Sequence, residues 1–149
     1  FCPGRFHSPG ASTAGHCSGR YQRRRSVEKD QINSLPSGRW GEELAAAYLQ
    51  KKGYQILEHN FNFHHTEIDL ITRDGSYLVF VEVKTRSSAD FGTPEEALTP
   101  RKKYHLRRAA EGYLYLNNLN NIDCRFDVIS ILFGPNGQIE IEHFENAFE

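Results

Sequence analysis

The stretch Thr66–Arg86, TEIDLITRDGSYLVFVEVKTR, decides the fold. Two runs rich in Ile, Val, Leu, Phe and Tyr flank Asp74-Gly75, a dipeptide suited to a two-residue type I′ turn, so the stretch reads as a β-hairpin. With Asp74 and Gly75 as the loop, Arg73 is expected to face Ser76, Ile71 to face Leu78, Asp69 to face Phe80 and Glu67 to face Glu82. Side chains alternate along a strand. One face then carries Glu67, Asp69, Ile71, Leu78, Phe80, Glu82 and Lys84. The other carries Ile68, Leu70, Val79, Val81 and Val83, an apolar packing face.

Three carboxylates and an amine thus meet at one end of a hydrophobic hairpin. Like charges repel, and burial beside Phe80 raises the cost of each ionised group. A hard divalent cation offsets that cost, because Mg²⁺ takes oxygen ligands at about 2.0–2.1 Å and commonly uses one or two carboxylates with waters. Lys84, on the same face, is placed to hold a water or a phosphate oxygen. The competing reading is a solvated sheet edge carrying a Glu–Lys pair. The run Val79, Phe80, Val81 and Val83 weakens it, since a strand with almost no polar alternation is covered on both faces.

Upstream of the hairpin, Arg39–Lys52 reads as a helix stopped by Gly53. Trp40, Leu44, Ala47 and Tyr48 form one stripe and Ala45 and Leu49 another, so the helix packs against more than one neighbour. Glu42 lines up with Ala45, Ala46 and Leu49, although the sequence alone favours an acid placed in a first turn to suit the helix dipole. Tyr54–Glu58 is a short first strand. Asn60–His65 is a loop, and its Phe61 and Phe63 belong to the core ahead of any stacking on bases.

Downstream, Ser87–Pro94 reads as a loop and Thr93 as the cap of a helix starting at Pro94. Pro100–Leu116 is the second major helix, burying Leu106, Ala109, Ala110, Tyr113 and Leu114. On a wheel of 100° per residue, Lys102 lies about 40° from Leu106 and aims over the sheet, while Arg101 and Arg108 point nearly opposite. Lys102 is therefore either a snorkelling stem or a phosphate contact beside the carboxylates. Arg86, Lys103, Arg107 and Arg108 form a basic rim able to position phosphates without reading sequence, or else a solvated charged surface. Arg125–Phe133 and Gln138–Phe144 make a second hairpin across Gly134–Gly137, with Arg125 and Asp127 as a structural pair. The expected architecture is an α/β fold with a mixed sheet of about five strands flanked by helices.

The 149 residues fit one domain, and 38% hydrophobic with 25% charged residues is a globular composition. No stretch approaches the roughly 18 apolar residues of a membrane span. Net charge is −1 but unevenly spread. Residues 1–38 hold six Lys/Arg against two Asp/Glu, and residues 39–149 hold twelve against seventeen. Nucleic-acid contact by the folded part must therefore use local basic patches. Residues 1–37 are expected to be a disordered basic tail, with the folded domain at 38–149. The tail reads as a fragment or a translation begun upstream of the natural start. Its rivals are an organellar transit peptide over residues 1–26 and a nucleic-acid arm at Tyr21–Ser26. The three cysteines form no disulfide framework and fit a reducing compartment, which points to the cytoplasm.

The order D-x(n)-E-x-K across a hairpin resembles the catalytic core of the PD-(D/E)XK nucleases. The wider pattern resembles one branch of them, the YraN-type family of small uncharacterised proteins related to archaeal Holliday-junction resolvases. It is carried by Gly41-Glu42, Ala45, Tyr48-Leu49, Gly53-Tyr54, Asn60, Glu67–Ile71, Val79–Arg86, Lys102, Arg125–Asp127 and Ala147-Phe148, over roughly residues 38–148. One departure is Thr66, where that family usually has Gly.

The resemblance implies a restriction-endonuclease-like core and Mg²⁺ or Mn²⁺ bound by Asp69, Glu82 and the Val83 carbonyl. It implies that Lys84 orients or deprotonates the attacking water, that Glu42 supports the site and that Glu67 is an accessory ligand or fixes Lys84. The implied substrate is DNA, in particular branched DNA, and the implied assembly is a homodimer. The alternative is a nuclease-like domain that binds nucleic acid or a protein partner without cutting.

Overall fold

The computed structural model describes residues 38–87 and 98–149. The expectations of a disordered tail and of a helix start at Thr93-Pro94 lie outside these residues. The elements run α1 (Gly38–Lys51), β1 (Gln55–Phe63), β2 (Thr66–Asp74), β3 (Tyr77–Ser87), α2 (Pro100–Leu116), β4 (Cys124–Phe133) and β5 (Ile139–Phe148). The sheet has the order β1-β2-β3-β4-β5, with β3 and β4 parallel and the other pairs antiparallel. Only the β3–β4 connection needs a crossover, and α2 supplies it. Among the described residues the fold is α/β, with a five-stranded mixed sheet and two helices.

Each helix covers one face of the sheet. On one side Ala45, Ala46 and Leu49 of α1 pack with Tyr54, Leu70, Val79, Val81, Ile129 and Ile131. On the other, Leu106, Ala109, Ala110 and Tyr113 of α2 pack with Phe61, Ile68, Ile71, Leu78, Phe80, Val128 and Phe148. β3 is thus buried on both faces, as its apolar run predicts. The buried stripe of α1 is Gly41, Ala45, Ala46 and Leu49, while Ala47 of the other expected stripe is exposed. Gly41 explains the choice. A Cβ there would collide with the Thr85 hydroxyl, so its absence lets this stripe come close to β3. At Gly112 a Cβ would enter the Phe63 ring, so α2 lies equally close to β1.

Four details differ from the sequence reading. The hairpin turn is Gly75-Ser76, because Asp74 pairs with Tyr77, Arg73 with Leu78 and Ile71 with Phe80. Gly75 has φ +57, and Asp74 and Ser76 are not left-handed, so glycine takes the first loop position as a turn with one left-handed residue there prefers. The shift is by two residues, which by itself exchanges no faces and keeps Asp69, Glu82 and Lys84 on one side. β1 continues through Phe63, where a loop was expected from Asn60, and it turns at His64 (φ 54). β5 runs on to Phe148, beyond the expected Phe144. Finally Ile68 packs beneath α2, on the opposite side from Leu70, for a reason that lies in the site itself.

Candidate functional site

Asn60 has φ 52, a conformation that asparagine tolerates better than most residues and that breaks strand alternation. The β1–β2 ladder pairs His59 with Leu70 and Phe61 with Ile68, so the break falls level with Asp69. Beyond it Phe61 and Ile68 both turn under α2. The regular β2–β3 pairing ends at Leu70 and Val81. In place of a backbone partner, the Val83 N–H donates to Asp69 Oδ2 at 2.6 Å. The Asp69 carboxylate is held by the strand that carries Glu82. Glu67 leaves the group: it is exposed, pairs with Asn62, and alternation puts it on the face opposite Ile68.

Glu82 is 3% exposed. Lys84 donates to its Oε1 at 2.6 Å, and the Lys102 ammonium lies 3.0 Å from its Oε2. That second contact is electrostatic only, because Oε2 has no aligned hydrogen-bond donor. Lys102 therefore aims over the sheet, as its position on the helix predicts. Thr99 caps α2 by accepting from the Lys102 N–H at 3.2 Å, which fixes the backbone from which the side chain reaches.

The Asp69 carboxyl is pushed up to about 7, first by burial and then by the Glu82 charge. Glu42 adds to the rise, whereas the Val83 N–H and Lys102 oppose it. Glu42 comes from the first turn of α1, where Gly41 lets the helix approach, and its Oε2 accepts from Asn60 Nδ2 at 2.8 Å. Four elements, α1, β2, β3 and α2, thus place Glu42, Asp69, Glu82, Lys84 and Lys102 together. Thr66 does not disturb them, since its hydroxyl donates to the Phe63 carbonyl at 2.7 Å and His64 carries the left-handed turn.

Among the described residues no three His, Cys, Asp or Glu side chains are grouped to hold an ion. The donor set that the structure brings together here is two carboxylates, Asp69 and Glu82. An oxygen-only set with two carboxylates fits Mg²⁺ or Mn²⁺, which complete their shells with water and phosphate oxygens. The Glu82 oxygen without a hydrogen bond is the feature that such an ion would satisfy.

The basic rim is not assembled as expected. Lys103 and Arg107 each lie 5.6 Å from the Phe148 ring centroid, and Arg107 donates to the Glu149 carbonyl. Arg108 pairs with Glu111 at 3.3 Å, and Arg86 is half-buried on β3 opposite Leu132. Only Lys102 of α2 enters the carboxylate group.

Sequence reasoning assigned Asn60 to a loop and missed its work here, because an amide in the left-handed region leaves no periodic signal. It also saw only half of a second polar cluster. Arg125 Nε meets Asp127 Oδ1 at 2.9 Å as expected, and His143 Nε2 lies 2.8 Å from Asp127 Oδ2. The Lys52 ammonium, 3.0 Å from His143 Nδ1, leaves that nitrogen as acceptor and the ring proton facing Asp127. Burial alone would raise the Asp127 carboxyl, but bonds from His143, Arg125 and the Asn146 N–H outweigh it and hold the group below the ordinary carboxylate range. This cluster is a fully bonded fastener that ties β4 to β5 and to the turn between α1 and β1.

Fold and site together define an α/β protein with two helices on a mixed sheet and a buried carboxylate–lysine group at one end of its central strand. The chain belongs to the uncharacterised protein family UPF0102, which its residues 41–131 match. It is 52% identical to a UPF0102 protein of Syntrophomonas wolfei over 111 residues, covering 74% of this chain and 96% of that one. A UPF0102 protein of Pelotomaculum thermopropionicum is 48% identical over 112 residues, covering 74% and 93%. One of Flavobacterium psychrophilum is 46% identical over 111 residues, covering 74% and 92%. The matched region contains Glu42, Asn60, Asp69, Glu82, Lys84 and Lys102. No helix among the described residues is long and apolar enough to cross a membrane.

Proposed function

We propose that this protein is a metal-dependent nuclease of the PD-(D/E)XK kind, hydrolysing phosphodiester bonds in DNA with Mg²⁺ or Mn²⁺ held by Asp69, Glu82 and the Val83 carbonyl. The observation that carries the reading is the Asp69–Glu82 pair. Glu82 is buried with one oxygen lacking a hydrogen bond, and Asp69 beside it rises to about 7. Two ammonium groups contact Glu82, while burial, ahead of the Glu82 charge, disfavours the ionised Asp69 beside it.

When bound, the ion supplies Lewis-acid stabilisation of the phosphoryl group and a more acidic water. The chain's own residues prepare the place. The Val83 N–H aims Asp69, and the Asn60 amide fixes Glu42, whose charge reinforces the site. Lys84 stands 2.6 Å from Glu82, where its ammonium can orient the attacking water and stabilise charge on the phosphate. Branched DNA as substrate, a homodimeric assembly and a cytoplasmic location follow from the resolvase resemblance and the cysteine pattern.

Cleavage of labelled single-stranded, duplex and four-way-junction DNA with Mg²⁺ or Mn²⁺ tests this, comparing the intact protein with Lys84→Ala. Metal-dependent cutting, reduced at least about a hundredfold in the variant, is the expected outcome. Binding without cutting in any metal, unchanged in Lys84→Ala, overturns it in favour of a nucleic-acid-binding module without catalysis. The turning of Lys103 and Arg107 onto Phe148 and the acidic charge of the folded part weigh against broad nucleic-acid contact and favour the other alternative, a nuclease-like domain that binds a protein partner without cutting.

A further inference from the structure

We propose that Lys102 is the internal counter-cation of the carboxylate site: it holds Glu82 in the absence of metal and moves to a backbone phosphate when ion and nucleic acid enter together. This rests on reading Asp69 and Glu82 as a metal site. The two lysines at Glu82 are not equivalent. Lys84 makes an aligned hydrogen bond to Oε1 at 2.6 Å from two residues along the same strand, whereas Lys102 reaches Oε2 at 3.0 Å from another element without one. The Lys102 backbone is fixed by the Thr99 cap, so the exchangeable part is the side chain alone. That side chain is 33% exposed while Glu82 is 3% exposed, so a partly solvated stem from α2 reaches a buried carboxylate.

Lys102 also acts favourably on the Asp69 charge. It therefore serves both carboxylates that a bridging ion would serve. An ammonium and a divalent ion cannot share that position without strong repulsion. A compact, hydrated charge on a four-carbon stem is suited to swinging outward, and the phosphate brought by a nucleic acid gives it a new partner. The consequence is coupling: metal affinity is held down in the free protein and raised by nucleic acid, and by reciprocity the metal raises nucleic-acid affinity.

The test reads Mn²⁺ binding by electron paramagnetic resonance of the free ion, with the intact protein, Lys102→Gln, Lys102→Arg and Asp69→Asn, with and without a short phosphorothioate DNA duplex. Lys102→Gln is expected to bind Mn²⁺ about tenfold more tightly than wild type, equivalent to about 1.4 kcal/mol, and Lys102→Arg about as wild type does. The duplex is expected to tighten binding by wild type about tenfold and by Lys102→Gln much less. Saturable binding that Asp69→Asn abolishes, with Lys102→Gln no tighter than wild type, overturns the counter-cation role and leaves the metal site standing. Absence of Mn²⁺ binding in every form overturns both. The duplex arm on wild type needs no variant to fold, and an affinity indifferent to the duplex also overturns the proposal.

Discussion

Replacing Asp69 by Asn tests the electrostatics of the site without touching its shape. The amide oxygen can still accept from the Val83 N–H, but the group no longer titrates. The rise from 3.8 to about 7 is worth at most about 4 kcal/mol at about 1.4 kcal/mol per unit, and solvent access at a half-buried group reduces this to about 1–3 kcal/mol. A carboxyl raised in the folded state binds more protons there than in the unfolded chain. Its stabilising contribution is therefore complete below pH 3.8 and lost as pH rises through about 7. Without metal, Asp69→Asn should be more stable than wild type by about 1–3 kcal/mol at pH 8 and about equal to it at pH 4. Urea unfolding in a chelating buffer at the two pH values measures the difference. Saturating Mg²⁺ should then stabilise wild type alone, by about 2.7 kcal/mol at a hundred times its Kd. A stability gap that is the same at both pH values, or a less stable variant at pH 8, would refute the reasoning.

Other expectations concern packing and the second cluster. Gly112→Ala drives a methyl into the Phe63 ring and should cost about 1–3 kcal/mol in thermal unfolding. Gly41→Ala sets a methyl against the Thr85 hydroxyl and should also destabilise, but less than Gly112→Ala, because the hydroxyl can rotate and alanine gains about 1 kcal/mol of helix propensity; a larger loss than at Gly112 would contradict the packing described. Asp127→Ala removes the acceptor for Arg125, His143 and the Asn146 N–H and should cost about 3–5 kcal/mol while Mn²⁺ still binds the surviving folded fraction. Because the Asp127 carboxyl is held low, the wild-type advantage over Asp127→Asn should be present at neutral pH and fade as pH falls below the ordinary carboxylate range, the opposite slope to Asp69.

What could be read from the chain was whatever repeats or terminates locally. The second helix shows at Pro100–Leu116 because a Pro start and a regular apolar stripe are both local, and its wheel already directs Lys102 to the sheet. The face shared by Asp69, Glu82 and Lys84 survived an error of two residues in the turn, since only an odd slip would have exchanged the faces. Ile68 and Glu67 were misplaced because alternation was extended through Asp69, while the break is imposed by the neighbouring strand at Asn60. The aromatic partner of two basic-rim residues stayed hidden for a similar reason. Lys103 and Arg107 are claimed by Phe148, more than forty residues along the chain, and no local pattern announces such a partner.

Asn60 is a change of phase in the strand. Between the irregularity at Ile56/Glu58 and Asn60, odd and even positions address the two layers in one order, and after Asn60 the order is reversed, so one backbone angle decides which layer receives Phe61 and Phe63. The same residue supplies the amide that Glu42 accepts, so shape and charge are written in one place yet remain separable. Glycine could keep the angle and lose the amide, whereas glutamine keeps an amide and resists the angle. The carboxylate group is therefore tuned by a residue that bears no charge and belongs to a neighbouring strand.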